Sequence, residues 1–404
     1  MNILFLTLAD FRSFSQHNIY CDLLRAFQAQ GHQVYCISPA ERRLGIETHF
    51  EENGHLLKLK IGNTQKTGII EKGISTVMIE PQFIAAIKKY FSDVRFDLVL
   101  YSTPPITLVS AIRYVQKRDG ARTYLLLKDI FPQNAVDLGM LSRTGPKGLL
   151  HRFFRNKEKT LYAISDVIGC MSQANVDFLL KQDPQLDPGK VEICPNSVEP
   201  LDMSVDEAGR KEMRRRYGLP LDKTIFVYGG NLGKIQSIPY LVECLRTQKD
   251  NDWAHFLIVG AGVDRHILEE YVRTDAPENV TLMENMPKDD YDRLVGSCDV
   301  GMIVVDHRFT IPNFPSRLLS YMQAKLPVFS VTDVNTDIGQ VCVDNGFGWW
   351  CESRRPEDFA ALVEQVRNCD RQTRRAMGDK AWEHLLKEYT VQRGRDIIMA
   401  HFEE

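Results

Sequence analysis

The sequence predicts an α/β fold: two doubly wound parallel-sheet domains that face each other across a central cleft. Three observations carry this. Strand-length apolar runs alternate with segments of helical apolar spacing along the 404 residues. The alternation breaks in a polar stretch near residue 200 and then restarts. A chain that is 44% hydrophobic and 25% charged is an ordinary globular mixture, which excludes a disordered or low-complexity protein.

In the first half, Asn2–Leu8 is a short apolar run that suits a strand buried on both faces. Ile19, Leu23, Leu24 and Phe27 then recur with helical spacing, and Gly31 stops the helix. Val34–Ser38 is the next strand, and strand, helix, strand at this spacing predicts a parallel pair with a crossover. The pattern recurs as strand Leu98–Tyr101, helix Ile106–Gln116 and strand Thr123–Leu127. Strand Val167–Met171, helix Gln173–Leu180 and strand Val191–Pro195 close this half. A charged helix, Glu207–Tyr217, follows the polar stretch.

The second half runs in the same way. Strands are expected at Thr224–Tyr228, His255–Val259, Val280–Leu282, Val300–Val304 and Val328–Ser330. Helices between and after them are expected at Ile238–Thr247, Asp264–Thr274, Lys288–Ser297, Ser316–Lys325 and Pro356–Cys369. A last helix is expected over Arg371–His401. The expected domains are 1–200 and 201–384, with the segment from about 385 to 404 packing back on the first.

Charge and cysteine content remove several function classes. Fifty Lys and Arg against 53 Asp and Glu give a net charge of -3, whereas a nucleic-acid binder is usually strongly basic. Nine dispersed cysteines with no C-x-x-C pair read as free thiols in a reducing cytosol, with no zinc site. MNILFLTLADF lacks the charged start of a signal peptide, and no run reaches the roughly 18–20 apolar residues of a membrane span. The expectation is a cytoplasmic protein, free to lie on the inner face of the membrane.

Three segments point to chemistry. In VYGGNLGKIQS, Gly229, Gly230 and Gly233 follow a strand and precede a helix, so backbone N–H groups can approach an anion closely. Lys234 adds a positive charge, and Asn231 and Gln236 add neutral donors. This is the preferred diphosphate cradle; the alternative is a glycine-rich structural turn. In FLIVGAGVDR, Gly260 and Gly262 end a strand, but Arg265 stands where a dinucleotide fingerprint has its third glycine. A tight strand–helix turn competes there with a phosphate or ribose contact. In NFPSRLLSYMQAKLPVFSV, Arg317 sits in the first turn of a helix, where the dipole disfavours a cation unless an anion is bound.

Taken in order along nearly the whole chain, these segments resemble the retaining glycosyltransferases of family 4, in the GT-B group. RAFQAQGHQVYCISP looks like the family's first helix and following strand. LKDIFPQNAVDLGM is similar to the "DLWPE" region of the subgroup that builds bacterial O-antigens and capsules. GGNLGKIQS resembles its "GNLG.aQG", and PSRLLSYMQAKLPV resembles "PsKl.EYmaaGkPV". Most of the family has two glutamates eight positions apart; aligned on Pro327, those positions hold Pro312 and Ser320. Lys128 stands where many members have histidine.

The resemblance implies transfer of a sugar from a nucleotide diphosphate, UDP favoured and GDP next, with retained configuration, to a glycan or polyprenyl-diphosphate-linked acceptor. It implies roles for Arg317, Lys234 and Asp129 in catalysis. It places Gly229, Gly230, Asn231, Gly233, Gln236, Gly260, Gly262, Asn285, Ser316 and Ser320 on the donor, and Arg12, Ser13 and Lys128 on the acceptor side. No metal or other cofactor is expected, because Arg317 and Lys234 can neutralise the leaving diphosphate. The leaving phosphate itself takes the acceptor's proton. Asp129 either faces the cleft or caps the following turn. An epimerase of the same fold, or a catalytically silent nucleotide-sugar-binding partner, are the alternatives.

Residues 147–161 form a basic amphipathic helix. Lys147, Arg152, Arg155, Lys157 and Lys159 face a single acid, Glu158, while Leu149, Leu150, Phe153, Phe154 and Leu161 share one face. Such a helix can lie on an anionic membrane or pack inward as an ordinary surface helix.

Overall fold

The computed structural model describes residues 1–64 and 67–402. They form two compact units: Met1–Glu199 with the chain from Val391 onward, and Pro200–Thr390.

The first unit is built on strands β1 (Asn2–Leu6), β2 (Gln33–Glu41), β3 (His49–Glu51), β4 (Leu56–Ile61), β5 (Leu98–Ser102), β6 (Arg122–Leu127), β7 (Val167–Cys170) and β8 (Val191–Ile193). Their spatial order is β3-β4-β2-β1-β5-β6-β7-β8, parallel except for the short edge strand β3. Ile3–Leu6 and Leu98–Leu100 are buried on both faces, which is why these runs are apolar without alternation. The strand order reverses between β1 and β5. The loops that leave their C-terminal ends therefore open a crevice, the usual ligand position in such sheets.

The second unit holds β9 (Thr224–Asn231), β10 (Ala254–Ala261), β11 (Val280–Met283), β12 (Val300–Val304), β13 (Val328–Thr332) and β14 (Gly348–Glu352). The order β11-β10-β9-β12-β13-β14 is all parallel, and reads 3-2-1-4-5-6 from its own first strand. The switch point lies between β9 and β12. Phe226, Phe256, Phe329 and Phe359 interlock in the core, with ring centroids 5.1–5.5 Å apart along the chain of contacts. The charged helix is Glu207–Arg216; its Arg210 and Arg214 clasp the half-buried Asp299, which also accepts from the Ile225 N–H at 2.8 Å.

Three expectations need correction. The single helix expected over Arg371–His401 is two, Arg371–Glu388 and Val391–Met399. Tyr389 leaves helical geometry at φ -122° and stays in the second unit's core against Phe314 and His384. The shorter helix packs on Ile19–Ala29 in the first unit. Strand β4 and helix Ile69–Tyr90 were not expected: Lys58 and Lys60 make β4 read as polar. Lys58 is nevertheless only 1% exposed, because Asp10, Phe11 O and Ser38 Oγ take its three ammonium donors. The helix expected over Ser316–Lys325 is the short Arg317–Gln323.

Candidate active site

At the C-terminal end of β9 the buried run Ile225–Tyr228 gives way to a glycine loop. Gly230 has φ +114°, a conformation that L side chains rarely adopt. Gly229 is bare because the Tyr291 hydroxyl fills its side-chain space: a Cβ there would lie 1.6 Å from that oxygen. Gln236 is buried and acts as an acceptor. Its Oε1 takes the Gly233 N–H at 3.2 Å and the Asn231 amide at 3.3 Å. Tyr228 donates to Asn231 O at 2.8 Å. Asn231 and Gln236 thus brace the loop. Lys234 stays exposed on the turn Lys234–Gln236.

Arg317 reaches this loop from the first position of helix Arg317–Gln323. Its guanidinium stacks over the Tyr228 ring, 4.3 Å from the centroid, and Nη2 lies 3.6 Å from where a Gly230 Cβ would be. Its Nη1 is buried and has no hydrogen-bond partner among the described residues. A charged donor left unsatisfied in the interior costs several times a formed bond's net value, so the geometry is incomplete without an acceptor. The helix has only seven residues. Its dipole is therefore small, and the guanidinium carries the case for an anion.

Gly260 and Gly262 have a packing reason to be bare, which fits the tight-turn alternative. A Cβ on Gly260 would lie 2.0 Å from Gly230 O, and one on Gly262 would lie 2.1 Å from Leu232 O. Their bareness lets β10 close against the glycine loop, so both serve backbone packing. Arg265 ties the neighbouring strand ends, donating to Gly260 O and Met283 O at 2.5 and 2.8 Å. Asn285 and Ser316 are exposed, Ser320 is half-buried and Pro312 is buried. No carboxylate occupies position 312 or 320. Tyr291, 60 positions from the loop, was missed because only the fold brings it there.

In the first unit, Lys128 and Asp129 stand at the end of β6. Thr103 Oγ1 accepts both of their backbone N–H groups at 3.1 Å and donates to Asp129 O at 2.9 Å. The Asn134 amide donates to both Asp129 carboxylate oxygens, at 2.9 and 2.8 Å. Burial pushes the Asp129 carboxyl up to about 6, although these bonds pull the other way. Burial also lowers the Lys128 ammonium, whose Nζ donates to Cys194 O at 3.4 Å. Asp129 therefore bonds a side chain of the following helix, besides the Ile130 N–H. A cavity of about 440 Å³ opens at the ends of β1, β2 and β4, lined by Thr7, Asp10, Tyr20, Glu41, Arg43 and Pro104 among others. Arg12 is exposed, with only its backbone N–H bound, to Gln16 Oε1 at 3.0 Å. Ser13 is spent on Glu52 and Ser15.

Two further expectations fare differently. All nine cysteines are free thiols. The only group of potential metal ligands among the described residues, His17, Asp22 and Glu199, is already bridged by Arg25, 2.6 Å from Asp22 and 2.9 Å from Glu199. The basic helix is Gly145–Ile164, and its charge is less available than expected. Arg155 pairs with the buried Glu158, Lys157 with Glu80 and Lys159 with Asp183. Leu161 is fully buried and Phe154 packs on Phe131, so the expected apolar face divides. Leu149, Leu150 and Phe153 remain 70%, 47% and 48% exposed, with Lys147 and Arg152 exposed beside them. No helix among the described residues is long and apolar enough to cross a membrane.

Comparison with known proteins agrees with this architecture. Residues 18–200 match the family model described as Glycosyltransferase Family 4, and residues 209–384 match Glycosyl transferases group 1. The chain is 21% identical over 314 residues to the probable glycosyltransferase WbjE of Pseudomonas aeruginosa, covering 77% of this chain and 76% of that protein. It is 23% identical over 275 residues to the putative colanic acid biosynthesis glycosyl transferase WcaI of Escherichia coli K12, covering 67% and 65%. Among solved structures, sucrose-phosphate synthase from Thermosynechococcus elongatus superposes over 100% of this chain and 98% of its own, with TM-score 0.76 at 14% identity. Anabaena HepE in complex with UDP-glucose covers 99% of both chains, with TM-score 0.69 at 13% identity. Both likenesses show the two-domain GT-B fold.

Proposed function

Since the chain belongs to the family 4 glycosyltransferases and has the GT-B fold, we infer that it moves a sugar from a nucleoside diphosphate to a glycan or lipid-linked acceptor, with retained anomeric configuration. The observation that carries this is the orphaned Arg317 Nη1 beside the bare glycine loop. A donor diphosphate supplies the missing acceptor. As the glycosidic bond breaks, negative charge grows on that diphosphate, and Arg317 with the exposed Lys234 stabilises it. The leaving phosphate takes the acceptor hydroxyl's proton, and Asp129, just beyond the C-terminal end of β6, is the carboxylate assigned to the acceptor side. UDP is the favoured nucleotide of the donor, supported by the UDP and UDP-glucose complexes of HepE. Cell-surface polysaccharide is the favoured product class, supported by the colanic acid assignment of WcaI.

The test is slow nucleotide release from a panel of UDP- and GDP-sugars. Release is expected, and it should persist with excess EDTA, since the cations at the loop are side chains. Loss of turnover in EDTA that Mg²⁺ or Mn²⁺ restores contradicts metal independence. A sugar altered without any acceptor indicates an epimerase. Binding without release indicates a silent partner, the alternative whose support is the absence of carboxylates at Pro312 and Ser320.

A lipid-linked acceptor places the enzyme at a membrane, and the exposed Leu149, Leu150 and Phe153 with Lys147 and Arg152 fit an anionic surface. Binding to anionic vesicles should weaken as salt rises, because such attraction is screened within about 8 Å at physiological ionic strength. The pair Lys147→Glu and Arg152→Glu should abolish it without touching the fold, whereas reversing Arg155 would strand the buried Glu158. Equal sedimentation of wild type and double variant with vesicles would reject membrane binding.

A further inference from the structure

Three tyrosines surround the guanidinium of Arg317, and they are not used alike. Tyr228 donates to Asn231 O at 2.8 Å and carries the stacked guanidinium on its ring. Tyr321 donates to Met302 O at 2.9 Å and accepts the Gly229 N–H at 3.3 Å. Both hydroxyls are consumed in holding the loop. The Tyr291 hydroxyl lies directly over the bare Gly229 backbone, and it has no hydrogen-bond partner among the described residues. A phenylalanine would fill the same space above Gly229 and leave no polar atom to satisfy. Arg317 Nη1 is fully enclosed, whereas the Tyr291 hydroxyl is not among the enclosed polar atoms, so a ligand at the loop can reach it.

We propose that Tyr291 is a donor-binding residue whose O–H donates to a diphosphate oxygen of the nucleotide sugar over Gly229, next to the Arg317 contact at Gly230. This rests on the diphosphate reading of the loop given above. The two groups divide the work. Arg317 supplies charge, and Tyr291 supplies a directional neutral donor that fixes which oxygen faces the loop. Burial raises the Tyr291 phenol above its ordinary range, with the nearby Arg317 charge opposing, so the hydroxyl keeps its proton and remains a donor at neutral pH. Asn231 and Gln236 bond each other across the loop, and Tyr291 adds a neutral donor over Gly229.

Tyr291→Phe removes the hydroxyl and keeps the ring. Calorimetric titration with UDP, UMP and uridine, and with GDP, GMP and guanosine in parallel, separates phosphate contacts from base contacts. The expected result is a loss of roughly tenfold in affinity for the preferred nucleoside diphosphate. The nucleoside should bind as it does to wild type, and ligand-free melting should be unchanged. Equal diphosphate affinity in wild type and variant overturns the role of Tyr291 while leaving the diphosphate reading intact, because Arg317→Ala still weakens that binding. A loss of equal size for the nucleoside also overturns it, since it would show a displaced loop. Failure of wild type to bind either nucleoside diphosphate overturns this inference together with the reading beneath it.

Discussion

Arg317→Ala lowers turnover by at least about tenfold, measured as nucleotide release from the preferred donor. A hydrogen bond to a charged group is worth roughly 1.5–3 kcal/mol, and about 1.4 kcal/mol is a factor of ten in rate. The loss exceeds this if the contact strengthens as the sugar departs, because only such strengthening raises the rate of the chemical step. Stability of the ligand-free protein should barely move. Removing the side chain forfeits a cation–π contact of roughly 0.5–2 kcal/mol, but it also relieves a buried donor without a partner, worth about 1–3 kcal/mol. The two effects oppose and nearly cancel. Stabilisation by the nucleoside diphosphate should shrink, since it follows the affinity directly. Normal turnover with an unchanged ligand-induced shift would show that Arg317 does not touch the donor.

Gly260→Ala should cost the second unit about 3 kcal/mol or more. Overpacking usually costs 1–3 kcal/mol, and the upper end applies when the obstacle is backbone. Here the new methyl would lie 2.0 Å from Gly230 O, and no side-chain rotation can relieve that clash. At roughly 2–4 °C per kcal/mol for a unit of this size, the melting transition should fall by about 6–12 °C. Donor binding should weaken as well, because the displaced strand end carries the loop. Gly73→Ala is the matched control: it lies in helix Ile69–Tyr90 with nothing within 4 Å of its Cβ position, and it should be neutral or slightly stabilising. Similar melting of the two variants would mean that β10 is not held against the loop.

Gly260 also shows where sequence reading stops. Two glycines at a strand end invite a phosphate, but the sequence does not say which side the absent Cβ would face. Only the pairing of β10 with β9 reveals that the space is taken by Gly230 O. The alternating strands and helices were legible because parallel strands buried on both faces are continuous apolar runs, and their helices have a 3.6-residue period. Strand β4 was hidden by Lys58, whose burial depends on Asp10, 48 positions away. The break at Tyr389 was hidden because no glycine or proline between Gly378 and Gly394 marks a helix end. The glycine loop and Arg317 could be found from the order of their motifs. Tyr291 could not, since a tyrosine in a charged helix carries no local signal of what lies above Gly229. The sequence likewise does not show that Gln236 Oε1 accepts from its own loop, at Gly233 N–H and the Asn231 amide.

A crystal structure with the bound nucleoside diphosphate, UDP or GDP according to preference, tests the central claim most directly. A diphosphate oxygen should lie about 3 Å from Arg317 Nη1, above Gly229–Gly230. A nucleotide bound with its phosphates elsewhere, and Arg317 Nη1 still without a partner, would contradict the account.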